Sequence, residues 1–126
     1  MTTTDTQAPS ARKQEIVNNY IALLDEHIAE LKAGTAETTL KIEDFAQALF
    51  IHPRHLSNTV HEVTGESTCS MYEERLMDIS RELLLTNEGS IASVARHLMY
   101  DPSNFSKFFK SYEGMTPKQF RLMNKK

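Results

Sequence analysis

The chain has 126 residues, 40% of them hydrophobic and 25% charged, with a formal net charge of −3 and one cysteine. That length holds one globular domain or two very small ones sharing a linker, and a lone Cys69 excludes an internal disulfide framework. No apolar run approaches the ~18 residues a membrane span needs, and MTTTDTQAPSARKQ lacks the apolar core of a secretory signal, so a reducing, cytoplasmic setting is expected.

With only 4 Gly and 4 Pro and no β-branched clusters at strand spacing, the expected fold class is all-α. Residues 1–10 read as a disordered polar tail. Residues 11–34 read as one amphipathic helix closed at Gly34, with Ile16, Tyr20, Leu23, Leu24, Ile28 and Leu31 in an apolar stripe. Packing against the adjoining lobe is the first expectation for that stripe, because helices gain most of their stability from tertiary burial. Val17 and Ile21 widen it, which makes homodimerisation through this helix the sharper alternative.

Residues 35–66 and 88–126 read as two copies of one unit. FAQALFIHPRHLSNTVHEVTG (45–65) aligns without gaps to VARHLMYDPSNFSKFFKSYEG (94–114) at a constant shift of 49 positions. Ala46 falls on Ala95, Leu49 on Leu98, Pro53 on Pro102, Ser57 on Ser106 and Gly65 on Gly114. In each copy a short helix (Lys41 to Phe50; Ile91 to Leu98) meets a tight break. A proline then restarts the chain, where its fixed φ suits the first helical position, and Asp101 is placed to cap the free amides. The second helices run to about Thr64 and Tyr112 and end at Gly65 and Gly114. Two short helices joined by a tight turn make a helix-turn-helix. Between the copies, residues 67–87 carry Met71, Tyr72, Leu76, Ile79, Leu83 and Leu84 at helical spacing and read as a linker helix.

In such a motif the second helix presents one polar face to a major groove. With Leu56 and Val60 inward, Arg54, Ser57, Asn58 and His61 face out in the first copy. With Phe105 and Phe109 inward, the outward set is Ser103, Asn104, Lys107 and Lys110. These side chains are of the kinds that read base edges and hold phosphates. A solvated helix also shows polar residues outside, so the pairing of two such faces carries the reading, not any residue alone. After Gly114, Thr116 and Pro117 open a last helix that leaves Lys118 and Arg121 for the DNA backbone.

Charge is distributed unevenly. From Lys41 to Glu74 two basic residues stand against six acidic ones, whereas from Asp101 to Lys126 six basic residues stand against two acidic ones. The second copy is therefore expected to supply most of the affinity for a polyanion.

Residues from about 40 to 121 resemble the DNA-binding domain of AraC/XylS-type bacterial transcription regulators. The features are HPRHLS…TG, ERLMDISRELLL and SIASVARHLMYDPSNFSKFFKSYEGMTPKQFR. The resemblance implies a seven-helix, homeodomain-like domain in which two helix-turn-helix units enter successive major grooves, about 34 Å apart, and contact RNA polymerase. By position it carries base-contact roles to Arg54, Ser57 and Asn58, and to Ser103, Asn104 and Lys107. The turn glycine usual in the family is replaced by Phe50 and Met99, which predicts strain if the turns keep the left-handed conformation.

His52, His55 and His61 lack the paired cysteines or the HExxH spacing of a zinc site, and no phosphate loop or nucleophile elbow is present. The expectation is no enzyme, no metal, no cofactor and no membrane, but a sequence-specific regulator whose partner is double-stranded DNA. The alternative from a different class is a protein-interaction module on the same scaffold with weak or no DNA binding.

Overall fold

The computed structural model describes residues 10–124, and these form seven helices and no strand. They are α1 (Ala11–Ala33), α2 (Ile42–Ala48), α3 (Pro53–Thr64), α4 (Thr68–Thr86), α5 (Ile91–His97), α6 (Pro102–Glu113) and α7 (Pro117–Asn124). The tail reading of residues 1–10 falls almost wholly outside the described residues. The first helix of each motif is shorter than expected, because the chain leaves the helix at Leu49 and Leu98 to enter the turn.

Among the described residues the chain forms two compact units. The first comprises residues up to His27 with Leu40–Glu73; the second comprises Ile28–Thr39 and everything from Glu74 on. The division runs through α1 and α4 and not at their ends, so the N-terminal and linker helices are not segments apart from the motifs.

In the first unit α2 packs on α3. Ile16, Val17, Tyr20 and Leu24 of α1 are buried, as are Phe45, Ala46, Leu56 and Val60. The Tyr20 ring meets Phe45 edge-on at 5.3 Å, and the Tyr20 hydroxyl reaches the Thr68 carbonyl at 3.4 Å. His27 is 2% exposed, and its Nε2 accepts the Leu40 N–H at 3.2 Å. That bond satisfies an amide of the α1–α2 connection that would otherwise go unpaired. The stripe expected on α1 is therefore largely buried within the chain; Ile21 and Leu23 are its half-buried members.

In the second unit α5 packs on α6 and α6 on α7. Phe109 sits 6.0 Å from Phe105 and 5.4 Å from Phe120, and the three rings anchor the core with Leu84, Val94 and Leu98. Filling such a site with a phenyl ring contributes about 3–5 kcal/mol relative to alanine. Gly34 ends α1 with φ +79, and a β-carbon there would lie 2.9 Å from Cε1 of His97, whose Nε2 is bonded to the Lys32 carbonyl at 2.7 Å.

The two turns are built alike. The Ile51 amide donates to the Ala46 carbonyl at 3.0 Å and the Phe50 amide to Gln47 at 3.1 Å. In the second motif Tyr100 donates to Ala95 at 2.8 Å and Met99 to Arg96 at 2.9 Å. This is the paired closure of a Schellman motif, which places one residue in the left-handed region and usually uses glycine there. Here those residues are Phe50 at φ 60 and Met99 at φ 62. The glycine form of the turn is kept and the strain expected from the sequence is present, at about 1–2 kcal/mol per residue. Glycine would relieve it while losing about 0.5–1 kcal/mol in chain entropy. Phe50→Gly and Met99→Gly should each raise stability by roughly 0.5–1 kcal/mol in urea or thermal melts; melts that move the other way would show that neighbouring packing has removed the strain.

Candidate nucleic-acid interface

Both second helices begin with proline at the first position behind an extended capping residue. In α6 the Asp101 carboxylate accepts the Asn104 N–H at 3.2 Å; in α3 the cap is His52, whose Nδ1 accepts the Arg54 N–H at 3.0 Å. Both end on a left-handed glycine, Gly65 at φ 80 and Gly114 at φ 85. Start, length and end are thus matched, and the buried pairs Leu56/Val60 and Phe105/Phe109 hold each helix by the same positions.

Rotation follows from that anchoring. Arg54, Asn58 and His61 are exposed on α3, and Ser57 is half-buried at the edge of the set. Ser103, Asn104, Lys107 and Lys110 are all exposed on α6. The 49-position register adds two exposed residues that the sequence reading left out. His55 stands where α6 has Asn104, and Ser111 stands where α3 has Glu62. The signal was available, since both lie one turn from residues already in the sets.

The faces differ in charge. On α3 the Arg54 cation is joined by Glu62, which Lys13 of α1 pairs at 2.7 Å. On α6 Lys107 and Lys110 are exposed, and the helix's one acid, Glu113, turns to Arg81 at 2.8 Å. The one acid within each of these two helices is thus engaged by a cation elsewhere in its own unit. Surface pairs of this kind add little stability, about 0–1 kcal/mol, but they remove negative charge from beside the face.

The last helix separates the two residues assigned to phosphate. Thr116 and Gln119 form a reciprocal capping box, with bonds of 2.9 and 3.1 Å, and Lys118 is exposed in its first turn. Arg121, expected to lie free for the DNA backbone, does not. Its Nε donates to the Leu84 carbonyl at 2.8 Å, and its terminal nitrogens donate to Gly89 at 2.6 Å and Asn87 at 3.0 Å. The guanidinium closes the carbonyl end of α4 and the loop after it, where helix geometry leaves acceptors unpaired and negative potential gathers. Arg121 is a structural clamp of the second unit. Lys125 and Lys126 lie outside the described residues.

Cys69 is exposed, and partial burial of its thiol together with the Glu73 carboxylate beside it pushes its pKa up. It is held as a thiol at neutral pH and is a weak nucleophile. Among the described residues no cluster of histidine, cysteine or carboxylate side chains could hold a metal ion, and no helix is long and apolar enough to cross a membrane.

A fold of two matched helix-turn-helix motifs, each with an exposed polar second helix, defines a protein of the double helix-turn-helix class. The helix-turn-helix domain family matches residues 45–123. The chain is 30% identical over 116 residues to an uncharacterized HTH-type transcriptional regulator, YisR, of Bacillus subtilis, covering 91% of this chain and 37% of the relative. It is 28% identical over 116 residues to the arabinose operon regulatory protein of Escherichia coli, covering 87% of this chain and 40% of that protein. Among solved structures, the C-terminal domain of the response regulator AraT from Geobacillus stearothermophilus superposes with a TM-score of 0.76 at 27% identity, over 88% of this chain and 87% of that one. The DNA-binding domain of AdpA, solved with a target DNA, shares the fold with a TM-score of 0.70 at 17% identity, over 83% and 91% of the two chains. The chain belongs to the AraC-type helix-turn-helix family, whose members are transcription regulators and not enzymes. It spans about two fifths of the curated relatives it matches.

Arg121→Ala should destabilise the second unit by about 2–4 kcal/mol, since charge-assisted bonds to three carbonyls are lost together. Arg121→Lys should recover less than half, because an ammonium cannot span three fixed acceptors. Thermal melts and hydrogen exchange of the Asn87–Gly89 amides read both; full rescue by lysine would refute the clamp.

Proposed function

We propose that this chain binds double-stranded DNA in a sequence-specific manner as a transcription regulator in the cytoplasm, presenting α3 and α6 to two successive major-groove segments. The observation that carries the reading is the α6 face: Ser103, Asn104, Lys107 and Lys110 are exposed together, while Phe105 and Phe109 are fully buried and fix the helix rotation. Lys107 reads a base edge, with Ser103 and Asn104 beside it. Lys110 and Lys118 hold phosphates. In the first unit Arg54, Asn58 and His61 play the corresponding parts with less charge, and Ser57 contributes from the edge.

Contact with RNA polymerase belongs to the same proposal and rests on family membership. Homodimerisation through α1 has weaker support, because most of the stripe that would mediate it is already covered.

Binding to duplex DNA should weaken with salt by about 0.9 in the log–log slope for each phosphate neutralised. A flat response would sink the reading in favour of a protein-interaction module. Lys107→Ala should weaken specific binding by about 1–3 kcal/mol and relax preference at one base pair, whereas Lys118→Ala should weaken all sequences alike and reduce the salt slope by about 1. Selection of bound fragments from random duplexes, repeated with each variant, separates the two. Arg54→Ala should cost affinity as well; no change would show that α3 is not docked in a groove.

A further inference from the structure

Three of the five histidines are tied into the fold through a ring nitrogen. His27 accepts the Leu40 amide, His52 accepts the Arg54 amide, and His97 bonds to the Lys32 carbonyl. The other two, His55 and His61, are exposed on α3, and among the described residues neither ring has a hydrogen bond or an ion pair. They stand on either side of Asn58 at three-residue spacing, so His55, Asn58 and His61 form one ladder along the outward face. The 49-position register sets that ladder on Asn104, Lys107 and Lys110 of α6. Each ladder therefore holds one asparagine and two basic side chains. Lysine as a side-chain type is charged across the neutral range, whereas histidine gains its charge between about pH 8 and pH 5.

Charge otherwise opposes docking of α3. From Lys41 to Glu74 acids exceed bases by four, which repels phosphate, although the helix has the start, length and end of its partner. Protonation of both rings halves that excess and gives α3 three cations, counting Arg54. The charged groups on the elements around α3 are Lys13 of α1, Glu43 and Asp44 of α2, and Glu66 after Gly65. On α3 itself they are Arg54 and Glu62, the latter paired with Lys13. A phosphate beside an imidazole favours its charged form, so DNA and protons each strengthen the binding of the other. His52 works in the opposite sense. Its Nδ1 accepts the Arg54 amide only while that nitrogen carries no proton, so acid weakens the cap of α3.

We propose that His55 and His61 are DNA-backbone contacts of α3 that act as imidazolium cations, so that the first unit holds duplex DNA by taking up a proton at each ring. The second unit, with lysines on its ladder, holds DNA without that uptake. These roles rest on the DNA-binding reading of α3 and α6. The sign follows from which state holds the protons. The complex holds more of them than the free chain, so the added affinity is fully present at low pH and is lost as pH rises through the titration of the bound rings.

The test uses the full chain and a short duplex recovered from the selection described above, at fixed salt, with circular dichroism confirming the same helix content at pH 6 and pH 8. Affinity should be on the order of tenfold higher at pH 6, and the log–log salt slope steeper by about 1 to 2. His55→Asn and His61→Lys each install the residue that α6 carries at the matching position. Each should remove about half of the pH response, and His61→Lys should also raise affinity at pH 8. The double variant should bind with a flat pH profile. His52→Asn keeps a capping side chain and should keep the response. Binding by the unaltered chain that is equal at the two pH values would overturn the proposal and leave the DNA reading standing, as would a response that survives in the double variant. Absence of binding at both pH values would overturn the two together.

Discussion

Each motif turns on one backbone choice: a residue in the left-handed region, closed by two N–H hydrogen bonds to carbonyls of the helix it leaves, three positions ahead of a proline. The first constraint ends one helix and the second starts the next, so the direction of the second helix is set within a few residues. Everything that could act on a partner follows from it. Once the direction is fixed, two apolar side chains a turn apart set the rotation, and the outward face is whatever remains. Phe50 and Met99 show that the geometry is kept even where the residue opposes it.

On this common scaffold the two copies have diverged in charge and not in shape. The outward lysines of α6 have Asn58 and His61 as counterparts in α3, and the half-buried Ala92 and exposed Arg96 of α5 have Glu43 and Gln47 as counterparts in α2. One copy is suited to a polyanion on its reading face. The other keeps a weaker reading face and gains an acidic flank. Intramolecular pairs such as Lys13–Glu62 and Arg81–Glu113 offset the one carboxylate that each reading helix carries.

What the sequence made legible was local. Proline, glycine and capping residues act over one to five positions, and an ungapped repeat doubles their signal; helix order, both turns and the rotation of α3 and α6 could therefore be read. Arg121 was misread because its partners lie 32 to 37 positions away, and an arginine on a basic helix looks the same whether it faces phosphate or carbonyl oxygens. His27 was passed over for the same reason: its partner amide belongs to a different helix's lead-in. The division of α1 and α4 between two units left no trace, since an apolar stripe runs on unbroken while the cores it serves change.

The clamp at Arg121 also bears on how much of the C-terminal end is dispensable. A helix of eight residues, α7, supplies Phe120 to the core and the guanidinium that seals α4, so it is scaffold as much as surface. Shortened versions that stop after the second reading helix would lose a wall of the core and expose three backbone acceptors at once. The minimal foldable fragment therefore extends through Arg121, and tags or fusions belong beyond it.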